Sequence, residues 1–214
     1  MKKIIAGILL LTCCAGCNFV KVNKNVADEI RAMIDSVGMN ISVADENTVL
    51  LEPTVEQFSR IVCNVPAELE ISQGGSSVSL QTPERLITKI EVTCTGGVIT
   101  ISSKEKNFRN WNDVEVHICT PDLESLAVNG AAEVEINPFK TESLALLVNG
   151  VADMDIKNID CGNLSVEIKG TGEVEISGRA DRAYLEISGV GDIDIDHFDC
   201  PTIKRSIKGV GVIR

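Results

Sequence analysis

Five segments of the chain are versions of one another: LAVNGAAEVEI from Leu126, LLVNGVADMDI from Leu146, VEIKGTGEVEI from Val166, LEISGVGDIDI from Leu185 and the shorter RSIKGVGVIR from Arg205. Their glycines, Gly130, Gly150, Gly170, Gly189 and Gly209, are spaced 20, 20, 19 and 20 residues apart. A unit this short cannot enclose a core by itself, so it must stack on its neighbours, and a fixed period of this size is the mark of a solenoid. On both sides of each glycine apolar residues alternate with polar ones, the period of a β-strand. No long helical pattern lies between the strands, which fits a helix-containing leucine-rich repeat poorly. The repeat therefore predicts an all-β chain wound as a three-sided parallel β-helix of about 20 residues per coil, each coil about 4.8 Å from the next.

Val128, Val148, Ile168, Ile187 and Ile207 precede the glycine by two residues, and Val134, Met154, Val174, Ile193 and Ile213 follow it by four, so the two sets should form inward columns. The glycines are read as structural corners that supply a positive φ without steric cost, with Asn129 and Asn149 beside them tolerant of turn geometry. Weaker alternation from Ile61 to Ile118 reads as less regular opening coils. Upstream, Val26, Ile30, Met33, Ile34 and Val37 recur at helical spacing and stop at Gly38, giving a short amphipathic helix that either covers the open N-terminal end of the solenoid or spaces it from an anchor. Arg214 falls partway through a repeat and leaves the last coil open, so homo-oligomerisation edge to edge through that C-terminal coil is an expected mode of association.

Residues 1–16 have the order of a secretory signal: Lys2 and Lys3, the apolar run Ile4–Leu11, then small residues. The run is far short of the roughly 20 residues that cross a bilayer as a helix. The following Cys14-Ala15-Gly16-Cys17 resembles a bacterial lipobox, with Cys14 where leucine is usual, and assigns lipidation to Cys17. The chain then divides into a signal peptide (1–16), an anchor or spacer segment with the helix (17–55) and the β-helix (56–214). A plainly secreted protein is the alternative. The expected location is the bacterial cell envelope, as an outer-membrane lipoprotein, with the surface and periplasmic faces both open, and the membrane is a partner through the anchor.

The formal charge of -11 repels phosphate backbones, and only 3% of residues are aromatic, so nucleic acid is excluded as a partner. No cofactor is called for. Beyond Cys17 the chain keeps Cys63, Cys94, Cys119, Cys161 and Cys200, an odd set that argues against a disulfide scaffold. Cys63 and Cys94 follow the inward phase, and Cys119 the outward one. Whether these three pair is open. Cys161 and Cys200 share an offset two coils apart, about 9.6 Å, which is beyond disulfide reach.

The chemical feature that stands out is a pair of acidic ladders flanking the second inward column: Glu133, Asp153, Glu173, Asp192 and Glu135, Asp155, Glu175, Asp194. Stacked like charges repel unless water or cations screen them. These eight carboxylates are read first as a solvated face that blocks lateral association, and in the alternative as candidate calcium ligands. The similarity of the corners to calcium-binding GGxGxD repeats is superficial, since that period is about nine residues. β-Helices also host polysaccharide lyases and hydrolases, but Lys169, Arg179, Arg182, Lys204 and Arg205 are scattered as a solvated surface rather than gathered beside a groove.

The recurring Ser/Lys-Gly-x-Gly corner (Ser188-Gly189-Val190-Gly191 and Lys208-Gly209-Val210-Gly211), the Thr120-Pro121-x-Leu123 lead-in and the single Trp111 resemble the GIN-domain family, described as auto-transporter adhesin head domains and found on many envelope lipoproteins. The likeness covers about Phe58–Arg214. The first two corners depart from it, with Ala132 and Ala152 in place of the second glycine. The resemblance implies a right-handed β-helix, an adhesin-like role toward a cell-surface or matrix polymer, and no catalytic residues. Its competitors are a carbohydrate-active enzyme or polysaccharide-binding module and a calcium-stabilised envelope protein.

Overall fold

The computed structural model describes residues 39–45, 48–105, 108, 111 and 113–214; the signal segment, Cys17 and the expected helix from Val26 to Val37 lie outside the described residues. Those described form sixteen strands in one hydrogen-bonded network, one 3-10 turn at Glu84–Leu86, and no α-helix. In chain order the strands are β1 (Met39–Asp45), β2 (Thr48–Pro53), β3 (Arg60–Cys63), β4 (Ala67–Gln73), β5 (Ser77–Pro83), β6 (Ile90–Thr95), β7 (Val98–Ser103) and β8 (Glu115–Thr120). The repeats follow as β9 (Ser125–Val128), β10 (Ala131–Ile136), β11 (Lys140–Val148), β12 (Val151–Ile168), β13 (Thr171–Ile187), β14 (Val190–Asp199), β15 (Ile203–Ile207) and β16 (Val210–Ile213).

Three columns of parallel pairing make the chain a β-solenoid. The face before the glycines runs β7-β3-β9-β11-β12-β13-β15. The face after them runs β8-β4-β10-β12-β13-β14-β16. A shorter third side stacks Lys140, Asp160, Arg179 and Asp199. β12 and β13 turn corners without a break, bending where Asn158 (φ 50) and Gly178 (φ 114) take left-handed backbone.

The opening coils are not wound in sequence order. The coil of β3 and β4 lies between the coil of β7 and β8 and that of β9 and β10. After β4 the chain folds back as β5, antiparallel to β8, builds a coil on the far side through β6, β7 and β8, and returns past Thr120 to continue the stack. The buried Thr120 hydroxyl secures this return, 2.5 Å from the Phe58 carbonyl oxygen and 2.8 Å from that of Asp122. The N-terminal end of the stack is closed by antiparallel strands, β5, β2 and β1 on one face and β6 on the other. β1 and β2 fall within the 17–55 stretch and are paired into the sheet.

Both inward columns are present. Val128, Val148, Ile168 and Ile187 are fully buried, as are Met154, Val174 and Ile193, with Val134 nearly so. Ile207 departs from the expectation: it is 49% exposed, because no described coil lies above β15 to cover it. Besides its backbone ladders to β13 and β14, the last coil is held by charge. Lys208 Nζ lies 2.8 and 3.0 Å from the Glu186 carboxylate oxygens, and Tyr184 also donates to that carboxylate. Arg214 donates to Asp194 at 2.9 Å.

The Lys208 bond, then the Tyr184 bond, holds the Glu186 carboxyl below the usual glutamate range. The Asp196 backbone N–H, then Arg214, does the same for Asp194. With both folded-state values lowered, the stabilisation is complete above the unfolded carboxylate range, about pH 4, and is lost as pH falls through the folded values. Hydrogen exchange corrected for its intrinsic pH dependence should therefore show residues 203–213 losing protection below about pH 4 while the middle coils keep theirs. Glu186→Gln should loosen the same segment at neutral pH.

The corner glycines are explained differently from the sequence expectation. None of the five takes a left-handed φ. The carbonyls of Gly130, Gly150, Gly170 and Gly189 each accept an N–H of the next coil, as from Thr171 to Gly150 and from Val190 to Gly170, both 2.9 Å. A Cβ on Gly150, Gly170, Gly189 or Gly209 would lie 1.9 to 2.0 Å from the carbonyl oxygen of the glycine below. Glycine is required for close stacking rather than for a turn conformation. Asn129 and Asn149 likewise do more than tolerate a turn: their amides form a ladder, Asn149 donating to Asn129 and Asn129 to Asn64, each at 2.7 Å.

Candidate functional site

The face after the glycines carries the acidic ladders, and both are longer than the repeats indicated. Backbone register extends the first through Glu115, Glu68, Glu133, Asp153, Glu173 and Asp192 to Val212. The second runs His117, Glu70, Glu135, Asp155, Glu175, Asp194. Glu68, Glu70, Glu115 and His117 were missed because their coils are stacked out of sequence order. The signal was present in Glu68-Leu69-Glu70, which has the phase of Glu133-Val134-Glu135.

The two ladders differ electrostatically. The second carries basic partners at several rungs: His117 Nδ1 lies 2.7 Å from Glu70, Lys157 Nζ 2.7 Å from Glu135 and 3.4 Å from Asp155, and Arg214 Nε 2.9 Å from Asp194, while no described cation pairs with Glu175. These bonds raise the Lys157 pKa, that to Glu135 most. In the first ladder, no described cation lies within ion-pair distance of Glu133, Asp153, Glu173 or Asp192. Asp192 accepts only the Val212 backbone N–H at 2.9 Å within its ladder.

Beside the first ladder runs a third outward ridge, which includes the exposed Val151 (56%), Val190 (52%) and Val210 (70%). Between the ridges is a groove of about 840 Å³ with a floor of small residues, Gly172, Gly191 and Gly211 succeeding Ala132 and Ala152 toward the C-terminal end. Trp111, buried and packed edge-on against Phe108 at 4.9 Å, lines its other end. The floor glycines are fixed by stacking, since a Cβ on Gly191 would meet the Gly172 oxygen at 2.0 Å. A smaller hollow of about 480 Å³ separates the two ladders around Glu68, Glu70, Glu115 and His117.

The calcium candidates stand in two outward columns rather than around a point, and among the described residues no three carboxylate, imidazole or thiol groups are placed to hold one ion. The basic candidates are dispersed. Arg179 pairs with Asp160 (2.9 Å), Arg182 donates to Asn163 (3.1 Å), Lys169 pairs with Glu167 (3.1 Å) and Lys204 sits 5.3 Å from the Tyr184 ring centre. All five described cysteines are free. Burial pushes the Cys161 thiol up to about 11, with Asp160 adding to the effect, which suits an inert packing residue.

A profile of the family described as "Putative auto-transporter adhesin, head GIN domain" matches residues 57–214. The chain belongs to this family. Among solved structures, the GIN domain here is similar to a "putative adhesin" from Bacteroides fragilis, with TM-score 0.63 and 20% identity over 80% of this chain and 98% of that one. It is also similar to a "putative adhesin" from Parabacteroides distasonis, with TM-score 0.50 and 16% identity over 78% and 95% of the two chains. At these identities the likeness shows a shared fold. No curated protein sequence matches the chain.

Proposed function

We propose that this protein is a lipid-anchored component of the bacterial cell envelope that presents its GIN domain for non-catalytic attachment. Acylation of Cys17 supplies the anchor, because several acyl chains on one residue hold a protein durably on a bilayer. The observation that carries the reading is the outer face of the solenoid, where an acidic ridge without ion-paired cations runs beside a column that exposes Val151, Val190 and Val210, with Thr171 between the first two. Such a surface suits an extended partner engaged at many weak contacts. Catalysis needs acid and base groups converging on one reacting bond, whereas these carboxylates repeat once per coil.

Protease shaving of intact cells, followed by immunoblotting beside a periplasmic control, tests the attachment role. The GIN domain should be lost while the control survives. Protection of both would overturn surface attachment. Radiolabelled palmitate should enter the wild-type protein and not Cys17→Ala.

A further inference from the structure

We infer that the groove between the valine ridge and the first acidic ladder is a docking site for an extended cationic peptide in which lysine or arginine alternates with aliphatic residues; the inference rests on the attachment role proposed above. The argument begins with the banks. Val151, Val190 and Val210 expose half or more of their surface in one column, which Ala131 begins and Thr171 interrupts, and burial of the valines against a partner would be favourable. Across the small-residue floor, Glu133, Asp153, Glu173 and Asp192 form an opposing row with no described cation within ion-pair distance. The neighbouring ladder, by contrast, carries its own cations. The protein has thus partly compensated one acidic row internally and left the row facing the valines for a partner's cations.

The dimensions select an extended chain. From Pro66 to Val210 the groove crosses five coil steps, about 24 Å at about 4.8 Å each, which accommodates about seven residues of strand at about 3.3 Å per residue. Successive side chains of a strand point to opposite sides, so alternation of cationic and aliphatic residues places one kind on each bank. The floor is strand backbone, since Ala132 and Ala152 at the equivalent positions are buried and turn their side chains inward. A sugar polymer fits less well, because the exposed bank is aliphatic and offers no aromatic plane for ring stacking.

The test is fluorescence anisotropy of the full-length chain with a labelled octapeptide of alternating lysine and valine. The comparison probes are a glutamate-valine octapeptide, a lysine-glycine octapeptide and a chitosan oligomer. The lysine-valine probe should bind, with affinity falling as salt is raised. Affinity should drop about tenfold or more in Val190→Ser/Val210→Ser and in Asp153→Asn/Glu173→Gln, and stay within about twofold in Asp155→Asn/Glu175→Gln on the neighbouring ladder. All of these positions face outward, and matched melting temperatures would verify that the variants are folded. Equal binding of the glutamate-valine or lysine-glycine probe, indifference to both groove variants, or binding of chitosan in place of the peptide would each overturn the inference. A domain removed by shaving that fails to bind the lysine-valine probe would overturn only the groove assignment. Groove-dependent peptide binding by a protein protected from shaving would overturn surface attachment and leave the groove in place.

Discussion

Replacing Gly170 by alanine is expected to lower the unfolding free energy by about 3 kcal/mol or more, the upper end of the range for inserting atoms into a well-packed site. The added Cβ would lie 1.9 Å from the Gly150 oxygen and 2.6 Å from the Asn149 oxygen, both backbone atoms that no side-chain rotation can move aside. Relief requires the two coils to separate. That would stretch the bonds from Gly170 N to Val148 O and from Thr171 N to Gly150 O, both now 2.9 Å. For a chain of this size the melting temperature should fall by about 6–12 °C. Gly75→Ala is the control, since nothing lies within 4 Å of where its Cβ would stand and its φ is ordinary. A Gly170→Ala protein that melts with wild type would show that the coils can slide apart at little cost.

Truncating Ile71 to alanine should cost about 2–5 kcal/mol, as buried isoleucine truncations do. Ile71 is fully buried in the coil placed out of order and is in register with Ile118 on one side and Ile136 on the other, both fully buried. Its loss leaves a void between two neighbouring coils. Ile213→Ala, in the same kind of column but half-buried on the last coil, should cost about 1 kcal/mol or less, because solvent fills the space and a neighbour is present on one side only. Urea denaturation of the two variants measures the ratio. Equal losses would refute the nearest-neighbour account of solenoid stability.

The repeat made the architecture legible because alternation of apolar residues reports directly which side chains point inward. It did not reveal what lies above a coil. Ile207 has the same local pattern as Ile187, yet one is half exposed and the other fully buried, since burial depends on the next coil. The corner glycines were recognised from their period, but their reason was not, because a Cβ clash with a carbonyl 20 residues away has no local signature. Asn64 and Asn129 stack although they are 65 residues apart, a separation that does not match the repeat. The same non-sequential winding hid Glu68, Glu70, Glu115 and His117 from the ladders. Val151, Val190 and Val210 were visible as apolar residues, but only the folded chain sets them as a row on the outside facing the acidic one.

The placement of the β3–β4 coil between strands that follow it in the chain gives the domain two ends with different capacities for change. From Lys140 onward each coil is stacked on the one immediately before it, so duplicating a block such as Val151–Gly170 would preserve every pairing above and below while lengthening the groove by one step. Before that point, β3 and β4 are clasped on both sides by later segments, and an inserted coil would break two sets of pairings at once. Length variation within such a lineage should therefore accumulate in the C-terminal coils, with the interleaved N-terminal block inherited as a unit.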